Sequence, residues 1–135
     1  MKRLFRFGIV GLSGTVVNLA VISLLIHAYQ VPAVLADAIA IEVSIISNFF
    51  CNHYYTFRRS AGKESRHDTM ASVMRKLWRF NLVALGGAAI SFSVFTLCYK
   101  WGGFPYYLAD ILGIGVAMSW NYILSVKLVW RLVDE

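Results

Sequence analysis

The chain has 135 residues, 59% of them hydrophobic, and a formal net charge of +6; its mean hydropathy is +0.63. A soluble domain of this length keeps too much of its surface in water to hide that much apolar material, so a soluble globular fold is excluded. The charge would point to nucleic acid in a soluble protein, but here it is sorted by side of a membrane, and no nucleic-acid partner is expected.

Four apolar runs carry the hydropathy. Phe7–Ile26 and Phe80–Tyr99 hold no ionised residue, Val31–Phe57 holds only Asp37 and Glu42, and Phe104–Val126 holds only Asp110. Each is long enough for a helix to cross ~30 Å of hydrocarbon, which takes about 20 residues. Alternating barrel strands are not seen, so helices remain as the spanning structure. The expected fold is an all-α membrane protein with four transmembrane helices in a single integral membrane domain, 1–135. Of the thirteen basic residues, only Lys100 falls on the far side of such a bundle. The positive-inside rule then makes both termini and the middle loop cytoplasmic, in a multi-pass protein of the cytoplasmic membrane. The basic start and apolar stretch resemble a signal peptide in outline. The stretch is too long and lacks a small-x-small cleavage signal, so it reads as a retained helix.

Helix 1 is expected from about Leu4 to Ala28. Gly8, Gly11, Ser13 and Gly14 place small residues in its first turns, either as a packing face or as a groove where a ligand meets backbone. Asn18, near mid-depth, should face protein or water. Pro32 suits the start of helix 2, where its missing N–H costs little. Helix 2 is expected from about Ala33 to Phe57. Asp37, Ser44 and Asn48 fall within about 20° of one line on it, and Asn52 continues that line. Glu42 sits on a different face. The segment 59–78 is a basic linker, in which Met70, Val73, Met74, Leu77 and Trp78 follow helical spacing between basic residues. It reads as an amphipathic helix on the inner interface, capped by Asp68 or Thr69. Helix 3 is expected from Leu77 to Lys100, with a small-residue patch at Gly86-Gly87-Ala88-Ala89. Helix 4 is expected from Pro105 to Trp130. Cys51 and Cys98 fall at opposite depths, so no disulfide is expected, and no metal-ligand spacing is present.

The chain repeats itself. A shift of 73 positions aligns Arg6-Phe7 with Arg79-Phe80, Gly14 with Gly87 and Pro32 with Pro105. It also aligns Asp37 with Asp110, Asn48 with Asn121 and Arg58 with Arg131; sixteen of the 55 positions 4–58 are identical to their partners. Apolar composition alone does not place Arg, Pro, Asp and Asn at one constant offset, so the pattern indicates a duplicated helical hairpin. Repeat 1 covers 1–62 and repeat 2 covers 75–135. Two copies of the same orientation imply a pseudo-twofold axis along the membrane normal. Glu42 faces Gly115 in this alignment, Asn52 faces Ser125 and His53 faces Val126, so these three belong to the first copy alone.

Ionisable groups inside a membrane cost ~2.5–3.5 kcal/mol on insertion scales, which makes each a functional candidate. Glu42 is either a titrating or hydroxyl-accepting group, or a protonated carboxyl bonded to Asn18 or another helix. Asp37 and Asp110, near the outer interface, either bind there or cap backbone. Arg6, Arg58, Arg79 and Arg131 ring the inner helix ends. Positive-inside anchoring explains such a ring, and a planar guanidinium also suits phosphate. Asn48, Asn52 and Asn121 serve as interhelical glue or as ligand-binding amides. With no nucleophile–base constellation, no phosphate-cradling loop and no nucleotide-binding domain, an enzyme is not expected.

Three motifs resemble the GtrA-like family of small four-helix membrane proteins. They are Arg6-Phe7-Gly8-Ile9-Val10-Gly11 with Gly14 and Thr15, Leu35-Ala36-Asp37-Ala38, and Asn48-Phe49 through Asn52 to Thr56-Phe57. The likeness extends over almost the whole chain. His53 departs from it where the family tends to have Arg or Lys, and Tyr55 where Trp is common. The resemblance implies translocation of a polyprenyl-phosphate-linked monosaccharide, typically undecaprenyl phosphate–glucose, for cell-surface polysaccharide, O-antigen or teichoic acid glycosylation. It implies lipid and sugar ligands, a cytoplasmic-side glycosyltransferase partner, and no cofactor or metal. Four helices enclose little volume, so a homodimer or other homo-oligomer, or an open lateral groove, is expected. Lipid phosphate or sugar contacts would then fall among Arg6, Asn18, Asp37, Glu42, Asn48, Asn52, His53, Arg58, Arg79, Asp110, Asn121 and Arg131. Two other readings stay open. One is a membrane anchor that recruits a glycosyltransferase. The other is a small proton-coupled multidrug exporter using Glu42, although helix 1, where such exporters carry their key acid, has none.

Overall fold

The computed structural model describes residues 2–57 and 69–131. The chain divides into two compact units, Met1–His67 and Asp68–Glu135. In the first, α1 (Lys2–His27) pairs with α2 (Ala33–Cys51), which runs on into a π-helical turn, Asn52–Thr56. In the second, α3 (Met70–Thr96) ends in a π-helical turn, Leu97–Trp101, and pairs with α4 (Tyr106–Leu124), which ends in another, Ser125–Val129. Among the described residues all regular structure is helical. With their π turns included where they continue a span, the four spans have 26, 24, 32 and 24 residues, and all are apolar enough to cross a membrane. No more than 17% of any apolar window is buried within the protein. In water such surface would drive association; in a bilayer it faces hydrocarbon, and the protein is a multi-pass membrane protein.

The structure corrects three helix ends. Unbroken α-helices are expected to Phe57, Lys100 and Trp130, yet each of these spans finishes in π geometry. The closing bonds run five residues back, from Phe57 N–H to Asn52 O (2.9 Å), from Gly102 N–H to Leu97 O (3.0 Å) and from Trp130 N–H to Ser125 O (3.0 Å). The wider turn shifts the angular position of every later side chain. Phe57 then meets the Phe7 ring edge-on at 6.4 Å, and Trp130 meets Phe80 at 5.8 Å. Burial of these four aromatics closes one end of each hairpin. The start of α3 is corrected too. The helix begins at Met70 and runs without a break, so the amphipathic segment forms its first turns. Thr69 caps it, its side chain accepting from Ser72 N–H at 3.3 Å. Asp68 lies outside the described residues.

The two hairpins are built to one plan. α2 and α4 start and stop 73 residues apart, and so do the π turns that follow them. The hairpin tips also match. Gln30 and Gly103 stand in the left-handed region (φ 53° and 66°). The next residue bonds back six positions, Val31 N–H to Leu25 O (3.0 Å) and Phe104 N–H to Cys98 O (3.1 Å). The left-handed residue and the bond that follows it cap each helix end, reaching one residue further back than the five-residue span of a Schellman motif. Phe7, Val10 and Gly14 are buried on α1, and Phe80, Val83 and Gly87 are buried on α3. Ala36 and Ala40 on α2 match Ala109 and Gly113 on α4.

Candidate functional site

Small residues bring each helix pair together around one amide. A Cβ on Gly14 would lie 2.6 Å from Asn48 Cγ, and a Cβ on Gly87 would lie 2.7 Å from Asn121 Cγ. Only glycine lets the amide approach the opposite backbone this closely. Asn48 Oδ1 and Asn121 Oδ1 are buried there without a hydrogen-bond partner. In hydrocarbon no bulk water is at hand to satisfy such an atom. The reading of Gly14 as a packing residue therefore holds, and the two asparagines form a repeated feature.

Beside this contact the first hairpin opens a cleft of about 260 Å³. Gly11, Thr15 and Asn18 line it from α1; Ser44 and Asn48 line it from α2, with Ile41 and Ile45. Ser44 Oγ donates to the Gly14 carbonyl at 2.7 Å, which ties α2 to α1 at the cleft wall. Nothing lies within 4 Å of the place a Gly11 Cβ would take, so this glycine belongs to the groove. Thr15 is exposed and Asn18 half-buried. Within the small-residue patch, Gly14 thus packs against α2 and Gly11 faces the open cleft.

The end of each hairpin that is closed by the aromatic pair also carries an arginine. In the first, Arg6 sits over the Tyr55 ring, with Cζ 5.0 Å from its centroid. Lys2, Phe5, Arg6, Ile9 and Tyr55 line an open groove of about 400 Å³. In the second, Arg79 Nη1 donates to the Leu128 carbonyl at 3.2 Å. Arg79, Leu82, Leu128 and Arg131 line a groove of about 290 Å³. The 73-residue offset relates Arg6 to Arg79, Ile9 to Leu82 and Tyr55 to Leu128. The sequence partner of Arg131 is Arg58, which lies outside the described residues. Each groove pairs cationic donors with apolar walls. Helix C-termini carry partial negative charge, so one task of these arginines is to neutralise it. A guanidinium has five N–H donors, so Arg79 retains capacity for an anion after serving one carbonyl.

The π turn of the first hairpin holds its buried polar set. Thr56 Oγ1 donates to Asn52 Oδ1 at 2.8 Å, and both residues are buried. His53 is buried and stacks on Phe49 at 5.6 Å with 14° between the rings. The second hairpin has Ser125, Val126 and Val129 at the matching positions, and Ser125 Oγ is buried without a partner. Asn52 and His53 are therefore interior groups of the helix end, not groove walls. Asp37, Glu42 and Asp110 are exposed on the surfaces of their hairpins, and none lines the cleft or the grooves just described. Of the predicted residues, the structure brings together Asn18 with Asn48, and Arg79 with Arg131.

Three contributors are absent from the predicted contacts, although Thr15 and Tyr55 fall at positions of the family motifs. Thr15 is a single hydroxyl in an apolar run. Tyr55 is one aromatic among several. The Leu128 carbonyl is backbone and leaves no side-chain signal. The 73-residue repeat does lead to Tyr55, because its partner Leu128 receives the bond from Arg79, the partner of Arg6.

The sequence matches the family model described as GtrA/DPMS, transmembrane domain, over residues 6–130. It is 32% identical over 130 residues to a dolichol-phosphate mannosyltransferase of Pyrococcus furiosus, an alignment that covers 96% of this chain and 34% of that protein. The chain thus spans about a third of the length of that relative.

Proposed function

We propose a transport function on one premise: the chain belongs to the GtrA/DPMS transmembrane-domain family. In this reading the protein moves a polyprenyl-phosphate-linked monosaccharide from the cytoplasmic to the outer leaflet of the cell membrane. The observation that carries it is the basic, apolar-walled groove found once in each hairpin. A sugar-linked polyprenyl phosphate is a phosphodiester, which presents one negative charge between a hydrocarbon chain and a sugar. Arg6, Arg79 and Arg131 supply donors for the head, while Ile9, Leu82 and Leu128 lie beside them against the chain. The grooves occupy the end of each hairpin that the positive-inside rule assigns to the cytoplasm, where such a lipid would be loaded. Asn48 and Asn121, deeper along the helices, are the next polar groups a sugar would meet. Undecaprenyl phosphate–glucose is the substrate of this type that the resemblance implies, and a homodimer is the expected assembly. In this reading the domain carries the sugar lipid and performs no chemistry on it.

A second reading follows from the relative. That protein is named a mannosyltransferase, and the matched region is about a third of it. A domain of this kind would then serve as the membrane platform of a glycosyltransferase, in the same chain or a separate one. Binding separates the two. The purified protein in nanodiscs should bind a short-chain polyprenyl phosphate. Arg6→Gln and Arg79→Gln should each weaken that binding by ~10-fold or more, the loss of one charge-assisted contact. Unchanged binding in both variants, with capture of a glycosyltransferase intact, would favour the platform.

A further inference from the structure

The two hairpins share a phosphate-type groove but differ at mid-helix, and we infer that only the first hairpin carries a station for an uncharged, hydroxyl-bearing head group, formed by Thr15, Asn18 and Asn48. The inference rests on the transport reading above and assigns a separate place within it to the sugar.

The argument starts from position. Thr15 and Asn18 lie eight and eleven residues into the Phe7–Ile26 run. At 1.5 Å per residue that is ~12–17 Å along a span that crosses ~30 Å. The cleft therefore sits near the centre of the hydrocarbon, where water is scarce and a sugar's hydroxyls are hardest to satisfy. Polar side chains are costly there, and an open cleft that gathers them is not explained by helix packing alone. Packing here is done by Gly14, which receives the Asn48 amide, and by Ser44, which gives its proton to the Gly14 carbonyl; Thr15 and Asn18 line the cleft without a packing task of this kind. Thr15 stays exposed to the cleft and half-buried Asn18 lines it, while Asn48 borders it with its Oδ1 buried against Gly14.

The second hairpin shows what the same frame looks like without the station. Its residues at the positions of Gly11, Thr15 and Ser44 are Ala84, Ala88 and Ala117. Ser91, at the position of Asn18, has its carbonyl oxygen 2.7 Å from where a Gly113 Cβ would lie, so the backbones are in contact there. Asn121 Oδ1 is unpartnered as Asn48 Oδ1 is. The lone amide thus belongs to the repeated frame, and the added hydroxyl, amide and open space distinguish the first copy. The cleft volume of about 260 Å³ falls just below the ~300–1,000 Å³ of pockets for drug-sized ligands. An open site of this scale has room for one ring. The chemistry present is uncharged donors and acceptors, which select hydroxyls over ions. Arg6 lies nine residues before Thr15, ~14 Å along α1. The groove and the cleft are therefore successive stations, the first for the phosphate and the second for the ring as it crosses.

The test compares two synthetic short-chain polyprenyl phosphates in proteoliposomes, one carrying a hexose and one carrying the same saturated ring without hydroxyls. The variant is Thr15→Val/Asn18→Leu, which keeps side-chain volume and removes the polar atoms. Transfer of the hexose lipid should fall about tenfold, the cost of two lost hydrogen bonds, while transfer of the hydroxyl-free lipid stays within about twofold. Thr15→Val alone, at an exposed position, should give the same selectivity at about threefold and serves if the double variant fails to fold. Equal slowing of both lipids would overturn the inference, since it would mark Thr15 and Asn18 as interhelical glue. Unchanged transfer of the hexose lipid would overturn it as well. If the unmodified protein transfers neither lipid, the transport reading itself falls and the station with it.

Discussion

Gly14→Ala is the substitution that most directly probes how the hairpin is held. The added Cβ would stand 2.6 Å from Asn48 Cγ, where ordinary contacts fall at 3.4–4 Å. The amide must withdraw by about an ångström or α2 must part from α1, and overpacking of this kind costs ~1–3 kcal/mol. At the middle of that range the folded-to-unfolded ratio falls ~30-fold. Gly11 is the internal control. It lies on the same helix, and nothing lies within 4 Å of its absent Cβ. Gly11→Ala should therefore be neutral or slightly stabilising through helix propensity. Asn48→Ala should rescue Gly14→Ala, because it removes the atoms the methyl meets. A double-mutant cycle in SDS-induced unfolding from bicelles measures the coupling, expected at ~1–2 kcal/mol. Equal stability of the two alanine variants, or no rescue by Asn48→Ala, would refute the proposed contact.

Thr56→Val should destabilise the first hairpin by ~1–3 kcal/mol, because the buried Asn52 Oδ1 loses its donor at 2.8 Å. Adding Asn52→Leu, which removes the orphaned amide at similar volume, should recover much of the loss in the same unfolding assay. Gly103→Ala should cost about 1 kcal/mol from its left-handed backbone alone, since nothing lies within 4 Å of the new methyl. Gln30→Gly, at the matching tip, should gain a few tenths of a kcal/mol to about 1 kcal/mol, read as a rise in thermal midpoint. Arg79→Lys keeps the charge but loses the planar fork, so polyprenyl phosphate binding should weaken ~3–10-fold and become steeper in salt; calorimetry across salt concentrations checks both.

Much of the architecture can be read from the chain because the bilayer leaves few choices. Runs such as Phe7–Ile26 can only be spanning helices, and Pro32 and Pro105 mark where α2 and α4 begin. The repeat is equally legible, and it extends to features no periodicity reports: the Phe7–Phe57 and Phe80–Trp130 pairs obey the same offset. The π turns are not legible. They depend on an extra residue per turn that returns an aromatic to the facing helix, and no local propensity marks that. The continuity of α3 through Arg75, Lys76 and Arg79 is hidden for another reason. The charges suggest an interface, while the cap that sets the start is Thr69. Within the site, charge is legible and geometry is not. Arg6 and Arg79 stand out as candidates, but their groove partners Tyr55 and Leu128 do not. Glu42 stands out most of all by chemistry, yet it lies on an exposed face apart from the cleft. Asn52 and His53, read as candidate ligand contacts, are packed into the helix end instead.

The central claim is that this small domain moves a phosphate-linked sugar lipid between leaflets. Its most direct test is the transfer rate of a short-chain polyprenyl-phosphate hexose in vesicles reconstituted with the pure protein. Acceleration over empty vesicles is predicted, with the rate reduced ~10-fold or more by Arg79→Gln. A rate no higher than that of empty vesicles would contradict it.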